Sequence, residues 1–122
     1  MEAARALSAK KAGRIVILDV STQLVITDHF VIASGNNERQ VRTLATEVER
    51  RLHTLGVKPT RREGEREARW VVLDYVDFVV HLFHTEDRDY YELERLWSDA
   101  AEVPFTEPYL ESRDASATAQ AT

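Results

Sequence analysis

Three observations predict an α/β domain in which helices pack on a β-sheet. Strand-like and helix-like segments alternate along the 122 residues. Two blocks rich in β-branched and aromatic residues, 69–75 and 77–83, meet at a short break around Tyr75, Val76 and Asp77 and read as adjacent antiparallel strands. Between them and the N-terminus, Val41, Leu44, Ala45, Val48, Leu52 and Leu55 recur at helical spacing and give one apolar stripe.

In chain order, residues 3–12 are Ala-rich and predict a short helix. Ile15 to Val20 is a strand, followed by a polar turn at Ser21 and Thr22 and an extended link from Leu24 to Thr27. Phe30 to Ser34 is a second strand, stopped by Gly35, Asn36 and Asn37. Asn37 is a good N-cap, and Gln40 three residues on completes a capping-box pattern. Glu38–Arg42 and Glu47–Arg51 are i,i+4 pairs expected on the wet side of that helix. Gly56 supplies its left-handed stop, with Pro59 beyond it.

Val57 to Arg62 predicts a third strand, placed near an edge by Pro59. A charged loop, Arg61 to Arg69, precedes the two central strands. A final helix is expected over 86–97, with Tyr90, Leu93 and Trp97 on one face and Leu96 beside them. Residues 1–101 form the single expected domain, and 102–122 an irregular tail that is disordered from Asp114 onward.

Composition excludes several function classes. There is no cysteine, so disulfides, thiolate metal sites and thiol nucleophiles are out. No uncharged apolar run approaches the roughly 18–20 residues that cross a bilayer. The N-terminal stretch lacks the apolar core of a secretory signal, so a cytoplasmic location is expected. The net charge of −5 is unevenly spread: residues 1–14 carry +3, whereas Glu86 to Asp114 carries ten acids against three arginines. Nucleic-acid affinity needs clustered positive charge, so sequence-specific nucleic-acid binding is not expected. An acidic chain suits a basic protein partner better.

Asp74, Asp77 and His81 interrupt otherwise apolar strands, and a strand that only filled a core would not carry them. With His84 they offer oxygen and nitrogen ligands, but a metal needs three or four that converge, and none is assigned. Ser34 to Asn37 sits at a helix start without the glycine pattern of a phosphate loop. No nucleophile elbow surrounds Ser34, so no catalytic residue and no cofactor is expected. Trp70 and Tyr75, beside these acids, are the residue types that anchor interfaces, whereas Trp97 is expected to be structural.

Several blocks resemble one known family. Asp19-Val-Ser21, Asp28 to Asn36, Glu38 to Val41, Trp70 to Tyr75, Asp77 to His84 and Tyr90 to Trp97 are similar, in order, to the signature blocks of the ribosomal silencing factor (Iojap-like) family. The match covers about residues 10–100. It implies a mixed β-sheet with helices packed on it, similar to the nucleotidyltransferase-like fold. It also implies a translational repressor, not an enzyme, that binds the large ribosomal subunit through its protein numbered fourteen. Such a protein obstructs joining of the small subunit when nutrients are short, and some members form homodimers.

Carried across residue by residue, the resemblance places the partner contact on Trp70, Leu73, Asp74, Tyr75, Asp77 and His81. Trp70 and Tyr75 would bury aromatic area, Leu73 would fill an apolar pocket, and the acids would pair with Lys or Arg. The family usually has glycine where this chain has Val76. A β-branched residue resists positive φ, so a longer loop or a bulge is expected there. The alternative is a divergent nucleotidyltransferase-like enzyme, which wants a Gly-Ser pair and two acids on one strand face. Here Ser34-Gly35 is reversed, and Asp74 and Asp77 are three apart.

Overall fold

The computed structural model describes residues 1–91, 95, 97 and 99–105. Helix α1 (Glu2–Ala9) precedes strands β1 (Gly13–Asp19) and β2 (His29–Gly35), the long helix α2 (Glu38–Thr54) and strands β3 (Arg61–Glu63), β4 (Trp70–Asp74) and β5 (Phe78–His84). Helix α3 (Thr85–Tyr91) and strand β6 (Ala101–Val103) complete the described elements. Among the described residues the strands form one sheet in the order β3-β4-β5-β2-β1-β6. β2 and β5 run parallel and every other pair is antiparallel, so the α/β sheet is mixed.

Residue alternation gives the sheet two apolar faces. One, built from Ile17, Val31, Ala33, Val71, Leu73, Val80 and Leu82, packs under the stripe of α2 and under Leu7 of α1. The other holds Leu18, Val20, Phe30, Ile32 and Phe83, and Trp97 covers part of it with its ring edge-on to Phe30 at 5.2 Å. No helix among the described residues is long and apolar enough to cross a membrane.

Helix α2 is capped as its sequence predicts. Asn37 Oδ1 accepts from the Gln40 amide at 2.8 Å, and Gln40 Oε1 accepts from the Asn36 amide at 2.7 Å. Gly35 lets β2 turn directly into it, since a Cβ there would stand 3.0 Å from the Val41 amide nitrogen. Two details differ from expectation. Leu55 is the C-cap and is 60% exposed, so the apolar stripe ends at Leu52. Glu47 is buried, held by Arg50 at 2.6 Å and Arg51 at 3.4 Å, while Arg42 donates to the backbone of Glu65 and Arg66 rather than to Glu38.

Other elements shift at their ends. Within 24–27 the chain bends at Val25 and Ile26 rather than running as an extended link. The strand expected over 57–62 shrinks to Arg61–Glu63, at the sheet edge. β6 was not expected: it pairs antiparallel with β1 through Ile17–Val103 and Asp19–Ala101, so the sheet runs past the boundary drawn at residue 101. Trp97 lies in a turn, and Leu93, Leu96 and the tail beyond Phe105 fall outside the described residues.

Candidate functional site

Strand register sorts the residues that the sequence left mixed. On β4, Trp70, Val72 and Asp74 share one face, opposite Phe83, His81 and Val79 of β5. Val71 and Leu73 take the other, opposite Leu82 and Val80, and turn toward α2. Among the described residues, the first face is only partly covered at this end of the sheet: Trp70, Val72, Asp74 and Val79 are all partly exposed.

Three of the six expected contact residues therefore lie inside. Leu73 is 0% exposed and fills this domain's own core, not a partner's pocket. The Tyr75 ring stacks on Phe78 with centroids 4.9 Å apart, and burial pushes its phenol up to about 12. His81 is also buried, with the edge of Phe30 at 4.7 Å. Trp70 Nε1 donates to His81 Nδ1 at 3.1 Å, which leaves the ring's proton on Nε2. Burial lowers the His81 pKa to about 4, only partly offset by the Asp74 carboxylate. His81 supports Trp70 from below; it does not present itself.

The other three reach solvent. Trp70 stacks on Phe83 with centroids 5.0 Å apart, and the residue is half-buried. Asp74 Oδ1 accepts from the Val76 amide at 2.9 Å, and Arg61 of β3 faces it across the ladder. Asp77 is exposed, and its carbonyl accepts from the amides of Asp28 at 2.9 Å and His29 at 3.3 Å.

The connection between β4 and β5 corrects the expectation of a longer loop or bulge. Val76 takes φ +72, and the Asp77 amide donates to the Tyr75 carbonyl at 2.9 Å. That closes a γ-turn of the strained, positive-φ kind around a β-branched residue.

Sequence reasoning missed Val72 and Val79, which form the apolar floor between Trp70 and Asp74. Counting in twos from Trp70 finds Val72, whereas Val79 needs the β4–β5 register. Ser34 is buried and donates to the Gly13 carbonyl at 3.1 Å. Among the described residues no three His, Asp or Glu side chains converge as metal ligands. The arrangement is a shallow shelf with an apolar floor and carboxylates at one end. It suits contact with a surface more than enclosure of a small molecule.

The family model for "ribosomal silencing factor during starvation" matches residues 1–122. A ribosomal silencing factor of Halalkalibacterium halodurans is 43% identical over 101 residues, covering 83% of this chain and 86% of its own. The Bacillus subtilis protein of the same name is 42% identical, covering 80% and 83%. A crystal structure from Chromobacterium violaceum superposes with a TM-score of 0.77 at 36% identity, covering 79% of this chain and 80% of that one.

Proposed function

The chain belongs to the ribosomal silencing factor family, and from that premise we propose that it regulates translation by occupying the large ribosomal subunit where the small subunit must dock. The contact runs through the subunit's protein numbered fourteen. The reading assigns no catalytic step and no cofactor, and it places the protein in the cytoplasm.

One observation supports this reading above the others. This end of the sheet carries the partly exposed Trp70, Val72 and Asp74 and the exposed Asp77, in two of the six sequence blocks that carry the family resemblance. Trp70 supplies an aromatic anchor already held by Phe83 and His81, so little is lost in ordering it on binding. Asp77 supplies an exposed charge for a basic partner. Asp74 contributes less, because the Val76 amide already engages its carboxylate. An interface of standard size buries about 1,200–2,000 Å² in total, well within the area of a domain about 30 Å across.

Sedimentation of the purified protein with isolated large subunits tests the contact. Wild type is expected to pellet with the subunits, and Asp77→Lys to weaken retention on the order of tenfold, because it sets a lysine against a basic surface. Retention of Asp77→Lys equal to wild type would place the contact on another face.

A further inference from the structure

At the end of the sheet that carries Asp77, two loops are tied into one tip. Thr27 Oγ1 donates to the Val76 carbonyl at 2.8 Å, and the Asp28 and His29 amides donate to the Asp77 carbonyl. Outside these bonds project Val25, Ile26 and Val76, which are 102%, 79% and 49% exposed. Single exposed apolar residues are ordinary, but three β-branched ones on two loops joined by hydrogen bonds concentrate exposed apolar area at one tip.

Val76 makes the patch harder to dismiss. It is β-branched and yet occupies φ +72. Glycine would take that conformation without strain, and nothing inside the domain needs a side chain that points outward. Backbone strain of this kind concentrates where a site uses it.

We propose that Val25, Ile26 and Val76 form an apolar plug that extends the docking shelf and seats in a hollow of the same basic ribosomal protein. The proposal rests on the reading above. Two features fix the occupant's chemistry. Asp28 and Asp77, both exposed, flank the plug and call for a hollow rimmed by Lys or Arg. A second copy of this chain fits poorly, because a two-fold contact through the plug would bring its acidic rim against itself. The plug is also continuous with the shelf, since Asp74 Oδ1 bonds the Val76 amide.

Four forms of the full chain test it by sedimentation with isolated large subunits and by thermal melting: wild type, Val25→Ser/Ile26→Ser, Val76→Gly and Asp77→Lys. The double variant changes only exposed side chains, so its Tm is expected to match wild type while its affinity falls about tenfold or more. Val76→Gly is expected to melt about 3 °C or more higher, as the strained turn relaxes, and to bind several-fold more weakly. If the double variant binds within twofold of wild type while Asp77→Lys does not, the plug is wrong and the docking reading stands. If all forms bind alike, both fall. Conversion of a dimer to a monomer by the double variant, at unchanged subunit affinity, overturns the proposal in favour of self-association. A Val76→Gly melting temperature at or below wild type overturns the claim of strain.

Discussion

Burial opposes the protonation of His81. Its folded pKa, near 4, lies below its ordinary 6.5 because the ring is buried. Between those values the unfolded chain binds a proton that the folded one refuses, so stability falls as pH drops from 6.5 toward 4 and is unaffected above 6.5. From pH 6.5 to 5 the loss should reach about 1.5 kcal/mol, read as a falling urea midpoint. His81→Phe should flatten that slope; an unchanged slope would mean that His81 is not its source. The same residue shows what a sequence conceals. A histidine interrupting a strand signals that something polar is needed there, but not whether it meets a partner or a tryptophan. Alternation alone separates Leu73 from Trp70 and Asp74, but which of the two faces is interior shows only in the packing of Val71, Leu73 and Tyr75 into the core under α2.

At the scale of elements, local chemistry was legible where it was strong. Helix α2 has an N-cap, an apolar stripe and a glycine stop within one window, and its bounds match them closely. Asn37→Ala should remove the cap bond to the Gln40 amide and cost about 1 kcal/mol, seen as a Tm lower by a few degrees. No loss would show that Gln40's own bond to the Asn36 amide suffices. The β4–β5 pair was legible too, because its residue types leave little choice. β6 was not. Three residues, Ala101 to Val103, carry no strand pattern of their own and exist as a strand because the edge of β1 offers hydrogen bonds. The turn at Val76 fails for the opposite reason: local preference was read correctly and tertiary ties overrode it. Bonds from Thr27, Asp28 and His29 to residues 76 and 77 hold the tight connection in place.

At the scale of the whole molecule, the described residues shield the sheet with helices on one face and only partly cover the other. Among the described residues, that asymmetry leaves Trp70, Val72, Asp74 and Val79 partly exposed on the face away from α2, which is where the proposed contact is put. The number of exposed contact residues was overestimated, since half of the six are interior. A domain that works by occupancy needs no moving part and no bound cofactor; it needs only enough contact area to outlast the approach of the small subunit. Light scattering of purified subunits as they join measures this most directly. Rising wild-type protein should lower the yield of joined ribosomes to a saturating minimum, and Asp77→Lys should shift that curve about tenfold toward higher concentration. Full joining in the presence of saturating, subunit-bound wild-type protein would contradict occlusion outright.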